Sequence, residues 1–145
     1  MVLSRCGMRC DLCLVYRPNV EKEDRRAEIV EVFKKIFDSF EGDPETIICD
    51  GCTCQKEDPI LLDPECQARK CVIEKGILHC GYCDNFPCSK FPAEPSDEVL
   101  KQKIDVEGLW TWEENALLEA YQCKKNMEEF KKCFVEGDGY DKIIL

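Results

Sequence analysis

The sequence predicts a mainly α-helical protein with a small, irregular, cysteine-organised region and little β-structure. Three observations lead there. Apolar residues recur at three- and four-residue steps in two stretches, residues 20–40 and 111–137. Eleven of the thirteen cysteines lie between Cys6 and Cys88. Strand signals are weak and confined to Thr46-Ile47-Ile48 and Gly76-Ile77-Leu78, which could pair briefly.

A chain of 145 residues makes one domain with a real apolar core, 44% of its residues being hydrophobic. Two regions are expected within it: a cysteine-rich, metal-binding part over residues 1–95 and a helical part over residues 96–145 packed on it. Phe91-Pro92-Ala93-Glu94-Pro95-Ser96 forms the hinge, because two prolines so close together exclude a helix.

In chain order, the first helix is expected over residues 20–40. Val30, Phe33, Phe37 and Phe40 form its apolar stripe, widened by Ile29 and Ile36, while Glu21, Lys22, Arg25, Glu28 and Lys35 form a solvated face. Glu41-Gly42-Asp43-Pro44 stops it. Asp63 as N-cap with Pro64 in the first turn announces a second, short helix that Gly76 closes. Ser96 caps a third over residues 97–103. The last helix opens on the capping box Thr111-Trp112-Glu113-Glu114 and ends at Gly137. Its stripe, Ala116, Ala120, Cys123, Met127, Phe130 and Phe134, is expected to pack on the phenylalanines of the first helix. Trp110 and Trp112 read as a hydrophobic staple, and the apolar end Tyr140–Leu145 as docking on its own chain.

Charge and cysteine usage narrow the function. Thirty acidic against twenty basic residues give −10, which disfavours a duplex nucleic-acid partner, since affinity there comes from neutralising phosphates. Arg5, Arg9 and Asp11 interrupt the start of the chain, so no signal-peptide apolar segment is read there, and no run is long enough to span a membrane. The expected location is the cytoplasm, where thiols stay reduced unless a metal takes them. An odd number of cysteines cannot pair fully within one chain.

Spacing carries the chemistry. Cys10/Cys13, Cys49/Cys52 and Cys80/Cys83 are three Cys-x-x-Cys pairs, a spacing that turns both sulfurs toward one ion. Gly51 and Gly81 are expected to supply the positive φ of such knuckles. With Cys6, Cys66, Cys71 and Cys88 they make ten candidate ligands, which suit zinc in two four-sulfur sites. Locality in sequence groups Cys49, Cys52, Cys66 and Cys71 in one site and Cys10, Cys13, Cys80 and Cys83 in the other. Cys6 and Cys88 are left as alternates or as partners of a third ion. Cys66 and Cys71 lie about 140° apart on a regular helix, so they share an ion only if the helix begins after Cys66. With eight thiolates and two zinc ions the protein would carry about −14. Metal removal is expected to unfold the first ninety or so residues while partly sparing the last helix.

Cys6-x3-Cys10-x2-Cys13 also has the spacing that holds three irons of a four-iron cluster in radical enzymes, but no alternating strand–helix pattern of a barrel follows it. A plain iron–sulfur cluster on these three and one later cysteine, or a thiol redox protein, is the alternative. No catalytic residue is identified. The one histidine, His79, stands beside Cys80 and reads as an incidental residue or a neighbour of a ligand, with replacement of a cysteine at one site left open. Asp50, Asp63 and Asp84 read as loop and cap residues. Cys123 reads as a small hydrophobe, Cys133 as a half-buried or surface thiol, and Cys54 as spare.

Cys6-Gly7-Met8-Arg9-Cys10-Asp11-Leu12-Cys13, Cys49-Asp50-Gly51-Cys52, Cys66, Cys71 and Cys80-Gly81-Tyr82-Cys83-Asp84-Asn85-Phe86-Pro87-Cys88 together resemble a small cysteine-rich family of bacteria and archaea, domain-of-unknown-function family 3795. The likeness covers roughly residues 4 to 92 and the order of all ten cysteines, and leaves out Cys54, Cys123 and Cys133. It implies a metal-binding, zinc-type domain without an established activity. The role that follows is that of a structural, interaction or regulatory module with a protein partner, not a nucleic acid or a membrane.

Overall fold

The computed structural model describes residues 1–36, 40–91 and 119–135. Among these the regular structure is helical: α1 (Arg17–Lys22), α2 (Arg26–Ile36), α3 (Gln67–Glu74), a 3-10 turn (Cys80–Tyr82), α4 (Cys123–Phe130) and a π-turn (Lys131–Val135). The described residues form two isolated bridges, Leu3 with Arg9 and Tyr16 with Cys49, as the sequence's low strand content predicts. The expected pairing of residues 46–48 with residues 76–78 does not form. Guanidinium groups take the carbonyls that a ladder would need. Arg26 Nη1 donates to Glu45 O (3.1 Å) and Ile47 O (3.4 Å), and Arg5 Nη1 to Leu78 O (3.1 Å) and Ile77 O (3.4 Å).

The single helix expected over residues 20–40 is two helices. Glu23 is extended, at φ −157° and ψ 111°, and ends α1. The Asp24 carboxylate then accepts a hydrogen bond from the backbone N–H of Arg26 (3.1 Å), which restarts the chain as α2. A short acidic side chain that captures a backbone donor competes with helix continuation. The predicted stripe is real on α2, where Ile29, Val30 and Phe33 are buried together with Val32. Ile29, Val32 and Phe33 pack with Cys13, Val15 and Cys49 into one core cluster, and the Phe40 ring meets Phe33 edge-on at 5.1 Å. Phe37 lies outside the described residues.

The second helix begins at Gln67, later than Asp63 and Pro64 suggest. Asp63 instead closes a turn, its Oδ1 accepting from Glu65 N (3.0 Å), and Cys66 takes the N-cap position. The predicted stop holds: Gly76 has φ +63°, and Ile77 N reaches back to Val72 O (3.0 Å).

The last helix is interrupted at Gln122 (φ −71°, ψ 60°). The carbonyls that would continue it are used elsewhere: Arg9 N donates to Ala120 O (2.8 Å) and Asn126 Nδ2 to Glu119 O (2.9 Å). Ala120 and Met127 of the predicted stripe are fully buried, whereas Phe134 is 49% exposed. Cys123, Met127 and Phe130 of the stripe sit away from Phe33, contrary to the expected packing, and it is Tyr121, off the stripe, that turns to the first helix. Tyr121 meets Phe33 edge-on at 5.8 Å, while Met127 and Phe130 join Ala68, Val72, Cys80 and Phe91 in a second cluster. The hinge prolines, the helix at 97–103, the capping box at 111–114, Ala116, Trp110, Trp112, Gly137 and residues 140–145 lie outside the described residues.

Candidate metal centres

Ser4 and Arg5, just before Cys6, tie the N-terminal segment to two cysteine knuckles. Ser4 O is met by His79 Nδ1 (3.0 Å), and Arg5 O accepts from Cys80 N (2.8 Å), which fixes the Cys80 knuckle against the N-terminus. Arg5 N donates to Cys52 Sγ (3.1 Å) and Arg5 Nε to Cys52 O (2.8 Å), which fixes the Cys49 knuckle on the other side. One arginine thus joins two knuckles far apart in sequence. Arg5→Ala is expected to cost about 1–3 kcal/mol, because it strips donors from half-buried carbonyls. Denaturant unfolding checks this, and Arg5→Lys restores little, since one ammonium cannot replace a fork of donors.

The Cys10–Cys13 turn is held by Asn19 at the start of α1, whose Nδ2 lies 3.1, 3.1 and 2.9 Å from the carbonyl oxygens of Cys10, Asp11 and Cys13. Residue 49 is brought to the same place by backbone bonds, Cys49 N to Val15 O (2.8 Å) and Arg17 N to Cys49 O (2.8 Å). Gly51, at φ +81°, makes the knuckle turn as predicted, and its N–H donates to Cys49 Sγ (3.4 Å). Asp50 between these cysteines has a structural role. Its shielded carboxylate accepts from Arg17 Nε (2.6 Å), Ile60 N (2.9 Å) and Lys56, closing the 50–60 loop.

These contacts bring Cys10, Cys13, Cys49 and Cys52 together. Burial pushes the Cys10 thiol upward, and the next causes are the charges of Cys52, Cys13 and Cys49. Burial likewise raises Cys13, against a hydrogen bond from Tyr121, whose hydroxyl lies 3.5 Å from its sulfur.

A second group lies beyond α3. Cys71, Cys80, Cys83 and Cys88 line one pocket with Lys75, Lys90, Phe86 and Phe91. Burial pushes Cys80 up to about 12, with the charges of Cys6, Cys88, Cys71 and Cys83 acting in the same direction. Cys83 is lowered, by the Lys75 ammonium, whose Nζ is 3.1 Å from its sulfur.

Cys6 and Cys66 lie between the groups. Cys6 is pushed up to about 12 by its hydrogen bond to Cys123 and by burial, against the opposing hydrogen bond from Cys66. Cys123, read from the sequence as a small hydrophobe, therefore touches the cysteine region through its sulfur. The grouping differs from the one that sequence locality suggested. The helix does start after Cys66, yet Cys66 turns to Cys6 while Cys71 faces Cys80, Cys83 and Cys88. Gly81 also departs from expectation: it has no positive φ, and a Cβ there would lie 2.8 Å from Met127 Sδ. Its smallness serves packing against α4. His79 is buried, bound to the backbone of Ser4 and 5.1 Å from the Phe130 ring. Asn19 and Arg5 had no signal in the sequence, because their partners are carbonyls that any residue supplies.

All donors in both groups are sulfur, a set that suits zinc or another thiophilic ion. Among the described residues, no three Cys, His, Asp or Glu side chains stand in metal-holding geometry. The residues suit such an ion by their chemistry, and one pocket gathers four of them, Cys71, Cys80, Cys83 and Cys88, on its lining.

No described helix is long and apolar enough to cross a membrane. No curated protein and no solved structure matches the chain. The family described as protein of unknown function (DUF3795) matches residues 2–93, the span that holds both cysteine groups, and the chain belongs to that family.

Proposed function

We propose that the protein is a zinc-binding structural module of the cytoplasm, a scaffold for interaction or regulation with a protein partner. Cys10, Cys13, Cys49 and Cys52 hold one ion, and Cys71, Cys80, Cys83 and Cys88 hold the other. Cys6 and Cys66 pair with each other between them. The observation that carries this reading is the second pocket, where four cysteines drawn from three segments share one lining. Sulfur-only donors, backbone N–H groups aimed at Cys49 and Cys52, and a net charge of −10 support a closed metal site and disfavour nucleic acid.

Elemental analysis of freshly purified, untagged protein, with free-thiol counting before and after denaturation, tests it. About two zinc per chain and about eight thiols protected in the native state are expected. All thirteen thiols reacting in the native protein overturn the reading. Stoichiometric iron and sulfide with visible charge-transfer absorbance would replace zinc by an iron–sulfur cluster.

A further inference from the structure

The two groups of cysteines have unequal surroundings. The first is enclosed: Cys10, Cys13 and Cys49 are buried and Cys52 is half-buried. Its sulfurs receive backbone N–H donors, from Arg5 to Cys52 and from Gly51 to Cys49. The second opens to solvent on one side, with Cys80 buried, Cys71 and Cys83 half-buried and Cys88 exposed. Two lysines, Lys75 and Lys90, stand in its lining. The Lys75 ammonium donates to Cys83 Sγ at 3.1 Å from the C-cap of α3, one residue before the left-handed Gly76 that ends the helix.

Four thiolates around a divalent zinc leave a net charge of −2, which in the second group faces two lysines. An ammonium hydrogen-bonded to a ligand sulfur withdraws negative charge from it. That lowers the sulfur's affinity for protons and for electrophiles and holds it on the metal. Resting on the zinc reading above, we propose that the Cys71/Cys80/Cys83/Cys88 centre is the exchangeable one, that the Cys10/Cys13/Cys49/Cys52 centre is inert, and that Lys75 is the positioning residue that sets the rate at which the exchangeable ion leaves. The partner chemistry that this fits is a soft divalent cation, delivered or removed by a competing thiolate or nitrogen chelator at the open face.

The test is zinc release from the purified full-length protein into excess of a chromogenic pyridylazo chelator. Two phases of equal amplitude are expected, and Cys88→Ser removes the fast one. Lys75→Met speeds the fast phase about 10–100-fold and leaves the slow phase unchanged. Lys75→Arg, which keeps the charge, restores most of the wild-type rate, whereas a purely structural role of the apolar stem would leave Lys75→Met at the wild-type rate. Release in a single phase, or a fast phase that Lys75→Met does not alter, overturns the inference while leaving zinc binding intact. Wild-type protein that carries no zinc overturns the zinc reading and this inference with it.

Discussion

Chelation of the native protein is expected to unfold the cysteine region outright, and α4 with it. A structural zinc ion contributes an apparent binding free energy of about 10–16 kcal/mol at neutral pH. A domain of ordinary size has a net stability of about 5–15 kcal/mol, so losing even one ion removes most of it. Apart from an ion, the knuckles are held by single hydrogen bonds such as those of Arg5, Asn19 and Asp50, each with a net worth of only about 0.5–1.5 kcal/mol. Sequence reasoning expected the last helix to be partly spared. The structure alters that expectation, because Met127 of α4 is fully buried in the cluster that contains Cys80 and Val72. An eight-residue helix without its docking partner is too short to persist. Far-UV circular dichroism and hydrogen exchange after verified metal removal give the readout. An unchanged spectrum would sink the prediction.

Gly7→Ala is expected to be the most damaging single substitution outside the cysteines. Gly7 has φ +99°, a conformation that L side chains rarely adopt. A Cβ there would lie 2.3 Å from the carbonyl oxygen of Cys123 and 3.0 Å from Met127 Cβ. Backbone cannot rotate away, so α4 must lift from the Cys6–Cys10 loop. Strain and overpacking together cost about 2–5 kcal/mol. Gly76→Ala is the control: φ is +63°, but nothing stands within 4 Å of the new Cβ. It should cost only about 1 kcal/mol, the backbone penalty alone. Denaturant midpoints of the two variants compare them directly, and equal losses would mean that α4 is not seated on the loop.

Much of the helical content was legible because it depends on local rules. The apolar steps at Ile29, Val30 and Phe33 marked the buried face of α2, and Gly76 marked the end of α3. Where the reading failed, a side chain or a distant backbone N–H had captured a backbone group. Asp24 took the Arg26 N–H and split one helix into two. Arg26 and Arg5 took the carbonyls of two segments that resembled short strands. The backbone N–H of Arg9 reached Ala120 O across the domain and, with the Asn126 amide on Glu119 O, broke the last helix. Such captures depend on which segments fold beside each other, and nothing in a local pattern records that.

The cysteines divide in the same way. Their number, their Cys-x-x-Cys spacing and the family they mark follow from the sequence alone, because a knuckle is a local turn and the thiol chemistry belongs to the residue type. Which sulfurs share a group was decided only in three dimensions. The bridge between Tyr16 and Cys49, and Arg5 reaching from Cys52 to Leu78, bring distant segments together, so that Cys71 joins Cys88 and leaves Cys66 to Cys6. Distance along the chain is a poor guide to distance in space once a few long-range hydrogen bonds have set the path.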